Sequence, residues 1–174
     1  MMLETYKQLI VNQFEAAFCT LDLCLRRCPE ATWGRPVAKS PFCQVMFHTL
    51  FFADYYLSLS EDAFRHQSFH SDHRPWFGDY EQLQDREATS LFEKPVLDVY
   101  LGHTRQKAKL AVAAETSDSL AARTGFPSRN CSRAELYVYN LRHVYHHAAQ
   151  LVLRLRLDTD IDIPWVDSGW RDTF

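Results

Sequence analysis

Apolar residues recur every three or four positions in four long stretches of the chain, a spacing that places side chains on one face of an α-helix. Few other segments alternate as β-strands do. The four stretches cover residues 3–27, 41–60, 94–115 and 132–158. Amphipathic helices of this length predict an all-α protein built as a four-helix bundle, where metal sites form from inward side chains of facing helices.

The same pattern predicts the ends and the inward faces of these helices. Ser40 is the expected N-cap of the second helix, with Pro41 at its first helical position. Ser132 and Glu135 match a capping box at the start of the fourth. The predicted inward positions of the first helix are Leu3, Tyr6, Ile10, Phe14, Ala17, Leu21 and Cys24. Those of the third are Val96, Val99, Tyr100, His103 and Leu110.

Length and charge narrow the class of protein. The 174 residues fit one domain, residues 1–174, with a single core. A net charge of −3, without long runs of like charge, argues against nucleic acid and anionic membranes as partners. The N-terminus has no signal-peptide pattern, and no apolar run reaches the roughly 20 residues of a membrane span. We therefore expect a cytoplasmic protein without a membrane partner.

The five cysteines fit a reducing compartment. Their number is odd and no C-x-x-C motif occurs, so we expect reduced thiols packed as small apolar groups. Cys24 and Cys28 share an i, i+4 face, which leaves a soft-metal pair as an alternative. Pro29 follows Cys28 directly and favours the simpler interpretation, the end of the first helix.

Two histidines one helical turn apart are the strongest chemical signal. His143 and His147 lie within the fourth helix, and i, i+4 side chains project from the same face, so both imidazoles can reach one metal ion. No glutamate follows His143, so the helix does not carry the H-E-x-x-H arrangement with its built-in general base. The pair therefore predicts metal ligands without a protease motif.

His48 is the best candidate for a third ligand. It lies within the almost wholly apolar second helix, where an unpartnered imidazole costs about 1–3 kcal/mol. Zinc, nickel or iron would satisfy one ring nitrogen, and a nearby acceptor would satisfy the other. Three histidine ligands leave a coordination position open, which is typical of catalytic rather than structural sites.

The segment between the second and third helices, about residues 61–93, is long for a loop and is expected to be functional. We interpret it as a lid or wall over the bundle site. Its histidines His66, His70 and His73 are a weaker second metal motif, because no regular frame holds them. His70 and His103 are candidate substrate contacts; His103 is alternatively a fourth ligand, an acid/base or a core histidine.

The motif Pro41-Phe-Cys-Gln-Val-Met-Phe-His48, followed by Arg142-His-Val-Tyr-His-His-Ala-Ala-Gln150 and by Pro164-Trp-Val-Asp-Ser-Gly-Trp170, resembles the DinB superfamily of DinB/YfiT-like metalloenzymes. The resemblance extends over essentially the whole chain. It implies an up-down-down-up four-helix bundle with a divalent metal, nickel or zinc, held at the positions of His48, His143 and His147. It also implies a homodimer. The ending His147-Ala-Ala-Gln150 departs from the frequent His-Arg-Gly-Gln of the family, which puts any role of that arginine in doubt.

The resemblance implies several activities. Better understood relatives are thiol transferases that join a low-molecular-weight thiol to an electrophile, and the same ligands permit metal-assisted hydrolysis. We expect metal-dependent thiol transfer first, hydrolysis second and a non-catalytic stress-response role third. A hydrolase needs a general base, for which Asp54 and His146 are the nearest candidates in sequence, and neither shares a helix face with the predicted ligands.

Overall fold

The computed structural model describes residues 2–172, and most of them are helical, in agreement with the predicted all-α class. Its four long helices are α1 (Met2–Arg27), α3 (Phe42–Leu57), α7 (Lys94–Ala114) and α9 (Arg133–Thr159). The short helices are α2 (Glu30–Trp33), α4 (Glu61–Arg65), α5 (Ser68–Asp72), α6 (Arg74–Phe77) and α8 (Ser117–Ala121), with a 3₁₀ turn at Glu81–Leu83. The strands β1 (Pro36–Val37) and β2 (Ser40–Pro41) pair antiparallel.

Each long helix packs against two of the others. α3 contacts α7 and α9, and α1 contacts the same two helices. Their facing sides bury one apolar core, in which the largest fully buried side chains are Tyr100, Tyr137, Phe14, Phe18, Phe42, Phe51, Phe64 and Phe126. Among residues 2–172, no helix has the length and apolar character needed to cross a bilayer.

The start of α9 is anchored to the end of α3 by Arg133. Its buried guanidinium donates to the carbonyls of Tyr56, Leu57 and Ser58 at 2.7–3.0 Å, which satisfies the unpaired carbonyls at that helix end. From Leu57 back to His48, and from Arg133 on to His143, the chain rises by about 14–15 Å at 1.5 Å per helical residue. The anchor therefore brings these two histidines to the same level of the antiparallel pair.

Several expectations about single elements need correction. Ser40 does not cap α3: Ser40 and Pro41 form β2, and Pro41 is the residue before the helix. Residues 61–93 are not one loop, because α4, α5, α6 and the 3₁₀ turn lie within them. Ser132 does cap α9, since its Oγ accepts a bond from the Glu135 amide at 3.2 Å.

The predicted inward positions are confirmed for most of α1 and are partly wrong for α7. In α1 the buried positions include Ile10, Phe14, Ala17, Leu21 and Cys24 as predicted, whereas Leu3 and Tyr6 are half-buried. In α7 the predicted Val99 and Leu110 are exposed. The buried face is Leu97, Tyr100, Leu101, Thr104, Ala108 and Val112. Thr104 and Ala108 of this face are polar or small, so they add little to an apolar pattern. The pattern alone therefore predicted a face shifted by about one residue.

Candidate metal centre

The structure brings the three predicted ligands together. His48 on α3 faces His143 and His147 on α9, and one ring nitrogen from each lies within 4.8 Å of the other two. The Nε2 atoms of His48 and His143 are 3.4 Å apart. Within residues 2–172, this is the only group of three or more histidine, cysteine or acidic side chains with metal-ligand spacing.

A chain of amide groups determines which nitrogen of His48 is free. The Ser90 carbonyl can only accept, and it accepts from Gln44 Nε2 at 3.0 Å, so Gln44 turns its oxygen toward Gln82. Gln82 Nε2 donates to that oxygen at 3.0 Å, which leaves Gln82 Oε1 2.9 Å from His48 Nδ1. His48 Nδ1 must therefore carry the proton, and its Nε2 presents a lone pair to the other histidines.

His147 has an equivalent support within α9. Its Nδ1 lies 2.9 Å from Gln150 Oε1, and Gln150 Nε2 lies 3.1 Å from His146 Nε2. The amide oxygen can only accept, so His147 Nδ1 donates and its Nε2 is also left with a free lone pair. The Ser90 carbonyl thus fixes the Nδ1–H tautomer of His48, and the contact with Gln150 Oε1 favours the same tautomer for His147.

His143 lacks such a partner. Its Nδ1 is buried without a hydrogen-bond partner, and its Nε2 faces His48 Nε2. A single proton shared by the Nε2 atoms of His48 and His143 would leave the lone pair of His147 unsatisfied. A cation between the three rings would accept a lone pair from each of them. The residues present therefore fit a divalent metal.

Burial keeps the three imidazoles neutral. It lowers the pKa of His143 to about 3, with further lowering by the neighbouring His147 and His48. Burial also lowers the pKa of His147 to about 4, and the hydrogen bond that His147 donates to Gln150 opposes this shift. The pKa of His48 is lowered by burial as well, and its bond to Gln82 opposes the shift. Neutral imidazoles are the form that binds metal, so the site is ready for a metal at neutral pH.

Aromatic rings line one side of the triad. The Phe52 ring centroid is 4.8 Å from that of His48 and 5.6 Å from that of His143. Phe52 in turn stacks on Tyr56, whose hydroxyl accepts a 2.6 Å bond from Arg129. The apolar face restricts approach to the triad and strengthens electrostatic interactions within it.

The other side of the triad opens into a cavity of about 520 Å³. His48 and His147 line it, together with the β1–β2 turn and residues 81–88. The segment between α3 and α7 thus forms one wall of the cavity, as the interpretation of a lid or wall predicted. The cavity volume is within the range of small-molecule sites.

The structure does not bring His70 and His103 to the triad. His70 is 2% exposed, and its Nε2 lies 3.0 Å from Asp54 Oδ2. His103 lies 3.1 Å from the side chain of Gln67 and stacks on Phe69. Neither lines the cavity beside His48, so their predicted contact with substrate has no geometric basis there.

Asp54 is the centre of this separate polar cluster. It is fully buried and bonds to Lys107, Tyr100 and His70. Burial alone would raise the pKa of Asp54, but its histidine partners and the charge of Lys107 hold that pKa below its usual range. The carboxylate of Asp54 is thus fully hydrogen-bonded within this cluster, and two of its partners belong to α7.

The supporting amides of His48 were missed by the sequence interpretation. Gln44 lies four residues before His48 and shares its helix face, so this spacing offered a signal. Gln82 comes from a different segment, 34 residues from His48 in sequence, and no spacing rule connects the two. The five cysteines are free and stand apart from the triad, and Cys24 and Cys28 form no metal group within residues 2–172.

Comparisons of the chain with protein-family models, curated proteins and solved structures found no match. The geometry of the triad and its cavity is therefore the basis for a functional assignment.

Proposed function

We propose that the protein is a DinB-like metalloprotein that binds one divalent ion, zinc or nickel, and transfers a low-molecular-weight thiol to an electrophile. The observation that carries the proposal is the convergence of His48, His143 and His147 as neutral imidazoles beside an open cavity. A divalent metal held there would supply Lewis acidity, lowering the pKa of a thiol or water toward neutrality.

The directions of the long helices support the DinB resemblance. Tyr6 of α1 bonds to Ala134 of α9, and Arg27 bonds to Asp162 just beyond α9, so these helices run parallel. Lys7 bonds to Ala113 of α7 near the opposite end of that helix, so α1 and α7 run antiparallel.

The remaining direction follows from α3 and α9. Arg133, at the start of α9, meets the end of α3, whereas His147, fourteen residues later, meets His48 in the first half of α3, so this pair is antiparallel. With α1 and α9 up, α3 and α7 run down. We accordingly propose the up-down-down-up bundle that the resemblance implies.

Thiol transfer is favoured over hydrolysis by the absence of a free base. Among residues 2–172, the only carboxylate lining the cavity is Glu81, and its oxygens accept bonds from Thr89 and Ser90. Asp54 is engaged with Lys107, and the exposed His146 is 3.1 Å from Gln150. A metal can acidify bound water as well as a thiol, but metal-dependent hydrolases commonly add a positioned base, and this cavity offers none within the described residues, so we rank hydrolysis second.

Cobalt substitution tests the proposed function. Cobalt-loaded protein should develop a thiolate-to-metal charge-transfer band when a small thiol such as mercaptoethanol is added. The same titration with His143→Ala protein should give no band, and Arg142→Ala, one residue away and exposed, should behave as wild type. A cobalt-loaded wild-type protein that shows no band with any thiol would contradict thiol transfer.

We also propose a homodimer that buries the apolar surface around the end of α9. Leu153 and Leu157 are 57% and 68% exposed, and the nearby Trp165 is 80% exposed. Leu153 and Trp165 line the same apolar groove, and contiguous exposed apolar surface typically marks an interaction site. Light scattering should give the mass of a dimer for wild type and of a monomer for Leu153→Glu. A wild-type monomer at tens of micromolar would contradict the proposal.

A further inference from the structure

The cavity beside the triad has few polar groups left for a substrate. Three glutamines line it, and each has both its amide oxygen and its amide nitrogen in an internal bond. Gln44 bonds to Ser90 and Gln82, Gln82 to Gln44 and His48, and Gln150 to His147 and His146. These bonds orient the three amides toward the histidines and the wall of the cavity, and none of the amides carries a charge.

Two of the charged side chains in the cavity wall are also engaged. The Glu81 carboxylate accepts bonds from Ser90 Oγ at 2.6 Å and from the Thr89 amide, and these bonds pin the wall. The Arg86 guanidinium donates to Asp79 at 2.5 Å and to Gln84 at 2.7 Å. Both charges are therefore compensated within the segment itself.

Lys39 is the exception. Within residues 2–172, its ammonium group takes part in no hydrogen bond or ion pair, although it lines the cavity. It lies in the turn between β1 and β2, next to Ala38, which has the left-handed φ of 57°. The antiparallel pairing of Val37 with Ser40 fixes this turn, and β1 packs against α9. The hairpin thus presents Lys39 on the same cavity as His48 and His147.

We propose that Lys39 binds an anionic group of the substrate, a carboxylate or phosphate, while the thiol of the same molecule reaches the triad. This proposal rests on the proposed function, because the triad must hold a metal to receive the thiol. The neighbouring Ser40 hydroxyl, which is likewise without an internal partner within residues 2–172, supplies a second donor for the anion. Lys39 carries a positive charge that is unpaired within residues 2–172, so it discriminates in favour of anions over neutral thiols.

The test uses two thiols of equal length that differ only at the far end, ω-mercaptobutyrate and ω-mercaptobutanol. Each is titrated into cobalt-loaded protein, and the charge-transfer band gives its dissociation constant. We expect wild-type protein to bind the carboxylate about two- to fivefold more tightly, the upper part of the range for an ion pair with an exposed lysine. Lys39→Gln should remove this preference and leave the affinity for mercaptobutanol unchanged. Arg123→Gln, which removes an exposed positive charge outside the cavity, should keep the preference.

The outcomes separate the two proposals. Equal affinity for the two thiols in wild-type protein would overturn the role of Lys39 while the band itself supports thiol binding. A preference that persists in Lys39→Gln would also overturn it, because the carboxylate would then be held elsewhere. The absence of any band with both thiols would overturn the proposed function, and the role of Lys39 with it.

Discussion

At the scale of single residues, the triad depends on groups outside it. The Ser90 carbonyl fixes Gln44, Gln44 fixes Gln82, and Gln82 fixes the proton of His48 on Nδ1. Partners of this kind orient a ligand and raise its basicity, and their loss typically reduces metal affinity by about 10–100-fold.

Gln82→Ala should therefore weaken metal binding by about 10–100-fold without abolishing it, because His48 keeps its place on α3 but loses its oriented tautomer. Competition with a zinc-sensitive dye measures this affinity. Gln84→Ala is the matched control, since Gln84 belongs to the same segment but bonds to Asp79 and Arg86 rather than to a ligand. Equal affinity of Gln82→Ala and wild-type protein would contradict this role of the amide chain.

The convergence of the three histidines could be predicted from sequence, whereas the groups that support them could not. His143 and His147 follow a helical spacing, and His48 is a polar residue in an apolar helix, so local rules find all three. Gln82 and Arg133 act through contacts 34 and 75–77 residues away in sequence, which only the folded chain defines. The contact of His70 with Asp54 of α3 is likewise visible only in the folded chain, and the substrate contact of His70 and His103 stays a prediction.

At the scale of elements, the segment between α3 and α7 has two different tasks. Its later part, residues 81–90, lines the cavity and supports His48. Its earlier part packs His70 against Phe77 and Asp54, which ties α5 and α6 to α3. His70 therefore has a structural role, and His66, His70 and His73 form no group with metal-ligand spacing within residues 2–172.

The burial of His70 predicts how the free energy of unfolding changes with pH. Burial lowers the pKa of His70 in the folded protein below the 6.5 of an unperturbed histidine, against the opposing effect of Asp54. Below about pH 6.5 the unfolded chain therefore binds a proton that the folded chain does not, so the free energy of unfolding falls as the pH falls from 6.5 toward the folded pKa. The slope from this one group is at most about 1.4 kcal/mol per pH unit.

Urea unfolding of metal-free protein between pH 5 and 7.5 measures this slope. His70→Gln should show a shallower loss of stability on acidification than wild type, and the other histidines should cancel in the difference. Identical slopes for the two proteins would contradict a buried, neutral His70.

At the scale of the whole molecule, the core is larger than a metal-dependent fold requires. The four long helices bury one continuous apolar cluster, and the three histidines of the triad are only partly buried and do not belong to it. Small domains that depend on zinc for folding lack such a core. The metal should therefore add stability to a chain that folds without it.

Chelation tests this relation between core and metal. Removal of the metal should lower the melting temperature while the helical circular dichroism at 25 °C stays largely intact. At a free metal concentration of 100 times the dissociation constant, the stabilisation is about 2.7 kcal/mol. Loss of helicity on chelation would mean that the site is structural, which would weaken the assignment of a catalytic role.

The central claim is that His48, His143 and His147 together hold one divalent ion. Its most direct test is the zinc content, by elemental analysis, of untagged protein after metal loading and dialysis. Wild type and His146→Ala should each retain one ion per chain, whereas His48→Ala, His143→Ala and His147→Ala should each lose it, because two imidazoles bind zinc too weakly to survive dialysis. Full occupancy in the His48→Ala and His143→Ala variants, or no metal in correctly folded wild type, would contradict the account.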